Sequence, residues 1–287
     1  MEISRVGIVG AGTMGRSISQ LLATNGFSVT LVDLSYSIAE NGKNAIALNL
    51  RRLEEKGKIS HAKSVEVMSR ITGMSLADLQ GEDLILECIV ENIRAKRQLL
   101  KNLDSIADKK TIFASNTSSY RISEIAQGLS QGRAVFGMHF FNPVWTLPLV
   151  ELVVPRNISL VQKDAVQEFL ARNGRQVVEV VDSPGFVVNR VLFGMVAESC
   201  ILMDNGVASV GDIDKAMKTG ANLPMGPFEL VDLIGLDTSS EILRSLGDRL
   251  SNDAYIRAAG IMSSMIEKGY LGRKSGRGFY EYNQKHQ

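Results

Sequence analysis

Short aliphatic and β-branched runs alternate with longer stretches of helical period through the first 180 residues. The runs predict strands at Val6 to Val9, Val29 to Val32, Leu84 to Cys88, Thr111 to Ser115, Val135 to Phe140, Leu149 to Val153 and Val177 to Val181. Between them, recurring apolar positions predict helices at Met14 to Thr24, Ile38 to Glu55, Ala62 to Ser69, Arg94 to Ile106 and Gln162 to Asn173. Asn25 with Gly26 closes the first of these helices, and Gly174 the last. Such alternation predicts an α/β domain built on a doubly wound, mainly parallel sheet.

After "VVDSPGF", residues 180–186, the strand signals stop, and Pro184 with Gly185 punctuates the change. The rest of the chain predicts helices at Val187 to Asn205, Val210 to Thr219, Phe228 to Leu233, Thr238 to Leu250 and Tyr255 to Lys268. The chain is therefore expected to divide into residues 1–182, an α/β domain, and residues 183–287, a smaller all-helical one. Ser209 and Asp212 have the form of a capping box, and Gly206, Gly220 and Gly269 stand where left-handed helix ends are expected. The helix Val187 to Asn205 is apolar on more than one face. It is expected to be buried all round, within its domain or partly against a second subunit, which points to a homodimer through the helical domain.

Composition narrows the function classes. With 45% hydrophobic and 22% charged residues among 287, the chain matches a folded globular protein. A formal net charge of +1 gives no reason to expect nucleic acid or an anionic membrane as partner. The longest apolar region, Phe186 to Met203, is broken by Asn189, Arg190 and Glu198, whereas a membrane span needs about 20 largely apolar residues. The start "MEISRVGIVGAG" enters an apolar run within a few residues, so no signal or transit peptide is expected there. Cys88 and Cys200 are too few for a disulfide framework and read as two buried, reduced thiols. A cytoplasmic protein is expected, and no pattern suggests a metal site.

"VGIVGAGTMGRSISQ" places Gly10, Gly12 and Gly15 directly after a strand and at the opening of a helix, with Thr13 and Met14 in the same turn. Gly10 permits the tight turn, Gly12 lets a pyrophosphate approach the backbone, and Gly15 lets helix and strand pack closely. The helix start presents N–H groups and a positive dipole end to phosphates. Asp33 ends the second strand, 18 residues after Gly15, where a carboxylate can bind ribose hydroxyls and repel a 2′-phosphate. The α/β domain is thus expected to be of Rossmann type and to bind NAD in preference to NADP.

"GMHFFNP", residues 137–143, spends one of only three histidines at the end of an apolar run. His139 lies near the carboxyl end of a predicted strand, the edge where open parallel sheets bind ligands. "ASNTSSY" sets Asn116, Thr117 and Ser118 beyond the end of another strand, and "PLVELVV" holds Glu151 among apolar neighbours on the next. A carboxylate in such a run needs a partner, and an imidazole supplies one. Bound to one ring nitrogen, it fixes the tautomer and makes the other nitrogen the acceptor of a substrate proton. A core histidine with a satisfied hydrogen bond is the alternative.

Taken together, "GAGTMGR", "ECIVEN", "ASNTSS", "GMHFFNP", "PGFVVNR", "LPMGPFELVDLIGLD" and "GRKSGRGFYEY" resemble the 3-hydroxyacyl-CoA dehydrogenase family, most closely its stand-alone bacterial 3-hydroxybutyryl-CoA branch. The resemblance implies reversible oxidation of a (3S)-hydroxyacyl-CoA by NAD, in fatty-acid metabolism or a related pathway. It implies that His139 is the catalytic base, that Glu151 orients it, and that Ser118 and Asn189 hydrogen-bond the substrate near the reacting carbon. It places Glu91, Lys96, Ser118, Asn142 and Lys274 at the nicotinamide nucleotide and Lys56 at the CoA phosphates. Read without the resemblance, Lys56 belongs to a solvated basic run with Arg51, Arg52 and Lys58, Asn189 is a capping or core amide or equally a cleft residue beside Pro184 and Gly185 at the domain boundary, and Lys274 is a surface charge. This chain departs from the family pattern at Trp145 and Pro148, and at Asn49, where some relatives carry a serine, which bears on acyl length and CoA contact.

Because Asn189 and His139 fall in different domains, domain closure is expected to complete the site. A dehydrogenase of free hydroxy acids or sugar acids and a noncatalytic NAD-binding protein are the rival readings. The first predicts turnover without CoA, the second cofactor binding without turnover.

Overall fold

β1 (Arg5–Val9) carries the motif's lead-in at the centre of a sheet whose inner strands are buried almost end to end. The computed structural model describes residues 1–156 and 158–282, which divide into one unit ending at Ser183 and a second beginning at Pro184. In the first unit, β1 is succeeded by α1 (Thr13–Thr24), β2 (Ser28–Asp33), α2 (Tyr36–Glu55), α3 (His61–Ser69), β3 (Ile71–Ser75), β4 (Leu84–Glu87) and α4 (Ile93–Ile106). β5 (Ile112–Ser115), α5 (Ile122–Ile125), β6 (Val135–Phe140), β7 (Leu149–Val153), α6 (Leu160–Arg172) and β8 (Gln176–Val180) complete it. Among the described residues, eight strands form one sheet in the order β3-β2-β1-β4-β5-β6-β7-β8. Every neighbouring pair is parallel except β6 with β7.

The central strands read as unbroken apolar runs because helices cover both faces of a parallel sheet. β4, β5 and β6 are buried at every position, whereas edge strands β3 and β8 expose Thr72, Gln176, Val178 and Glu179. β3 is absent from the strands that the hydrophobic pattern predicts: "ITGMS" carries a glycine and two hydroxyl residues, so its apolar run is too short to register. The four-residue α5 is likewise too short to show helical period. At the rim of the core, Phe27 and Phe169 meet edge to face, their centroids 5.2 Å apart. Burying a side chain of this size stabilises by roughly 1.5–3 kcal/mol.

The second unit comprises α7 (Val188–Asp204), α8 (Val210–Gly220), α9 (Pro227–Ile234), α10 (Leu236–Leu250) and α11 (Asp253–Ile266). Phe193, Val196, Phe228, Leu243, Leu246 and Met262 form its core. Two of the expected glycine helix ends have positive φ, Gly206 at 70° and Gly269 at 80°. Gly220 does not. It remains the last residue of α8, and Asn222, at φ 55°, takes the left-handed position instead. Of the two modes of burial expected for α7, the one within its own domain is incomplete: α7 buries Phe193, Val196, Ala197 and Cys200 but leaves Val191 69% exposed. Its apolar sequence exceeds what its own unit covers.

Two buried carboxylates organise the turns of this unit. Asp214 accepts the N–H groups of Phe228 and Glu229 at 2.9 Å each, and the Tyr280 hydroxyl at 2.8 Å. Asp232 accepts the N–H groups of Phe279 and Tyr280, and the Tyr282 hydroxyl. Burial pushes the Asp232 carboxyl above the usual range despite those donors. No helix among the described residues is long and apolar enough to cross a membrane.

Candidate active site

The turn after β1 is fixed by contacts that leave little room for side chains. Gly10 has φ +114°, and a Cβ there would stand 2.5 Å from the Cys88 carbonyl oxygen. Its N–H donates to the Val32 carbonyl at 2.8 Å, tying the turn to β2. A Cβ on Gly15 would lie 1.7 Å from the Gly10 carbonyl oxygen, so α1 docks on the turn only with glycine at that position. Gly12 is different: its backbone is extended and a Cβ would meet nothing within 4 Å. The fold needs glycine at 10 and 15, but open space surrounds position 12.

The first turn of α1, with exposed Thr13 and half-buried Met14, contains no acidic residue. Asp33 accepts the Ala11 N–H at 2.7 Å, which holds its carboxylate against the glycine turn at the end of β2. The N–H groups of a helix start, reached over bare backbone, can donate to the pyrophosphate of a dinucleotide, and the fixed carboxylate can accept from its ribose hydroxyls.

The single antiparallel step of the sheet builds the second part of the site. β6 and β7 pair so that His139 stands directly opposite Glu151, and Nδ1 lies 2.8 Å from a Glu151 carboxylate oxygen. Glu151 is 1% exposed and His139 6%, so the hydrogen bond is shielded from water. An ionised carboxylate there accepts from a protonated Nδ1, which fixes the orientation of the ring. The Phe141 ring lies tilted on the imidazole at 4.3 Å between centroids. Asn116, beyond β5, accepts the Phe140 N–H at 2.9 Å and ties the end of β6 to the neighbouring loop.

A buried ionic cluster underlies that loop. Lys96, in the first turn of α4, places its ammonium 2.7 Å from Glu87 and 3.1 Å from Glu91, and is itself 1% exposed. Burial alone would lower the lysine's pKa, but the two carboxylates outweigh it and hold it above the ordinary lysine value. Glu91 accepts the Thr117 hydroxyl and the N–H groups of Ser119 at 3.1 Å and Ser118 at 3.3 Å. Ser118 is thereby placed by its backbone. Glu87 and Ser115 also belong to this cluster and are missing from the sequence-derived site. The available signal was an acid closing the apolar run "LILE".

Lys56, Asn49 and Asn142 belong to the first unit, Asn189 and Lys274 to the second. Lys56 caps the carboxyl end of α2 and is exposed, and Asn49 donates to Gln20 at 2.8 Å. Asn142 is exposed and precedes Pro143 through a cis peptide bond. In the second unit, half-buried Asn189 lies in the first turn of α7, and the Lys274 ammonium lies 2.6 Å from both carboxylate oxygens of Asp237. Of the two free cysteines, Cys200 is buried as expected but Cys88 only half-buried, because it leads from β4 into the loop beside the glycine turn. Burial raises both thiols, Cys200 to about 12, so neither is a ready nucleophile at neutral pH.

Residues 5–183 match the family described as 3-hydroxyacyl-CoA dehydrogenase, NAD binding domain, and residues 185–282 match the corresponding C-terminal domain. A probable 3-hydroxybutyryl-CoA dehydrogenase of Bacillus subtilis is 41% identical over 288 residues, covering 99% of each chain. The mitochondrial hydroxyacyl-coenzyme A dehydrogenase of Rattus norvegicus is 37% identical, covering 98% of this chain and 91% of that protein. Among solved structures, an (S)-3-hydroxybutyryl-CoA dehydrogenase from Ralstonia eutropha superposes with a TM-score of 0.90 at 41% identity, covering 99% of this chain and all of the other.

Proposed function

The chain belongs to the 3-hydroxyacyl-CoA dehydrogenase family, and on that premise we propose that His139 is the general acid/base of an NAD-dependent oxidoreductase interconverting (3S)-3-hydroxyacyl-CoA and 3-ketoacyl-CoA. The observation that carries the assignment is the 2.8 Å bond between His139 Nδ1 and buried Glu151 at the carboxyl edge of the sheet. In the oxidative direction His139 Nε2 takes the hydroxyl proton while the hydrogen on the same carbon departs as hydride. Bound NAD supplies the hydride acceptor. Glu151 holds the ring and stabilises the imidazolium that forms, and in reduction the same nitrogen returns the proton to the carbonyl oxygen.

In this reading Ser118 and Asn189 position the reacting oxygen. Gly10, Gly12, Thr13, Met14, Gly15 and Asp33 hold the adenine half of the dinucleotide, and Glu91, Lys96, Ser118, Asn142 and Lys274 its nicotinamide half. Lys56 meets the CoA phosphates. The first unit serves as the cofactor domain, the second as the substrate and dimerisation domain, and the enzyme works as a cytoplasmic homodimer. The names of the bacterial relatives favour a short acyl chain such as 3-hydroxybutyryl.

NADH oxidation measured with acetoacetyl-CoA, longer 3-ketoacyl-CoAs and free keto acids, repeated with NADPH, tests this. Turnover is expected with the short CoA thioester and NADH. Equal or faster turnover of a free keto acid would move the protein to the hydroxy-acid reading, and NADH binding without turnover of any substrate would make it a noncatalytic NAD-binding protein.

A further inference from the structure

Glu87 is 0% exposed at the end of β4, and its carboxylate is saturated by donors from three different segments. One oxygen accepts from the Lys96 ammonium and the Ile89 N–H, each at 2.7 Å, and the other from the Ser115 hydroxyl at 2.6 Å. Ser115 is the register partner of Glu87 on β5, so the two side chains meet as a consequence of strand pairing. The Ser115 oxygen in turn accepts the Thr117 N–H at 3.2 Å. The turn at residues 117–119 is therefore gripped twice, from one side by Glu91 and from the other by Glu87 through Ser115. A single ammonium, Lys96, ties the two carboxylates together.

A buried ion pair of this kind stabilises no more than an apolar pair of the same volume, because desolvation offsets the Coulomb attraction. Its effect here is read in geometry. Two carboxylates and one ammonium allow one arrangement of the turn in which every donor is satisfied, whereas an apolar contact would accept several. We propose that Glu87 is a positioning residue of the dehydrogenase: through Ser115 and Lys96 it fixes the turn that carries Ser118 in the register hydride transfer requires. The proposal rests on the roles assigned to His139 and Ser118 under the proposed function.

Glu87→Gln keeps the shape and removes the charge, and Ser115→Ala cuts the same link while leaving the Glu87–Lys96 pair intact. Each is expected to lower kcat for NADH-dependent reduction of acetoacetyl-CoA by roughly 10- to 100-fold, the loss typical of a displacement near 1 Å. The Kd for NADH, measured by its fluorescence, should rise by less than kcat falls, since the glycine turn and Asp33 still hold the adenine half while only the nicotinamide contacts of Lys96 and Ser118 lie beside the altered link. The double variant should be no slower than the slower single one, because both break one connection. Parental kcat in either single variant, or a double variant whose loss equals the product of the two single losses, overturns the proposal. So does a lowered Tm with parental kcat per folded molecule, which marks a purely structural role. If Glu87→Gln does not fold, Ser115→Ala decides alone. Failure of the unmodified protein to reduce any 3-ketoacyl-CoA would instead sink the underlying reading of the site.

Discussion

Replacing Gly12 by alanine separates what the glycine turn does for the fold from what it does for the ligand. Gly12 is the N-cap of α1 with φ −72° and ψ −169°, an extended backbone that alanine adopts without strain, and its Cβ would meet nothing within 4 Å. Alanine is a poorer N-cap than glycine by about 0.5–1 kcal/mol, and its narrower unfolded ensemble offsets about 0.4–1 kcal/mol, so the net effect on stability is about zero. Binding is another matter. The added methyl group holds a pyrophosphate off the N–H groups at the start of α1, and a hydrogen bond to a charged group contributes about 1.5–3 kcal/mol. Loss of one such bond corresponds to roughly a 10- to 150-fold rise in the Kd for NADH, at about 1.4 kcal/mol per tenfold. Thermal unfolding and NADH fluorescence titration on the same preparation give both quantities. Gly15→Ala is the contrast, since its Cβ would lie 1.7 Å from a carbonyl oxygen, and it should be destabilised by several kcal/mol or fail to fold. The reasoning is refuted if Gly12→Ala binds NADH as the parent does, or if it loses more than about 2 kcal/mol of stability.

Other substitutions test the proton carrier and the electrostatics. His139→Gln should lower kcat by about 10²- to 10⁴-fold while still binding NADH, and parental turnover would remove the histidine from the mechanism. Glu151→Gln leaves the imidazole less basic and less firmly oriented, so kcat should fall by roughly tenfold or more, and the pH profile of kcat/KM should shift with it. Asp104 supplies a pH test with a defined sign. Burial alone would raise its carboxyl, but the N–H and hydroxyl of Ser130 and the guanidinium of Arg133 outweigh this and lower it. Its contribution is therefore present above the unfolded carboxylate value of about 4 and lost as pH falls through the lower folded value. Asp104→Asn should cost about 1 kcal/mol at neutral pH, and the Tm gap between parent and variant should narrow below about pH 4; a gap constant from pH 7 to pH 3 would contradict the assignment.

Where two titratable groups stand on adjoining apolar strands, the sequence reveals the pair; a serine opposite an acid, as Ser115 stands opposite Glu87, carries no such mark. β6 and β7 match their predicted bounds because both are interior strands, buried at nearly every position, and an acid in one beside a histidine in the other leaves few ways to satisfy both. The cluster around Glu87 was harder to read. Its members span residues 87–119, and contact depends on α4 turning Lys96 back over the strand end, which no local pattern states. β3 was missed because an edge strand need bury only alternate positions, so its glycine and hydroxyl residues are tolerated. α7 was legible only in part. Its sequence is apolar enough for full burial, but the pattern does not say what covers the face bearing Val191. Gly220 shows that a glycine near a helix end does not fix which residue turns left-handed, since Asn222 takes that position.

The imidazole and its carboxylate belong to one hairpin, and the pairing of β6 with β7 sets their separation. The connection between them, residues 141–148, exposes Trp145 and Leu147 at 45% and 43% while anchoring itself through Val144, which is 1% exposed. Directed variation at Trp145 and Leu147, with Val144 retained, leaves the proton carrier's support in place. A library confined to these two positions is the natural place to begin if this scaffold is to be retrained on a new substrate.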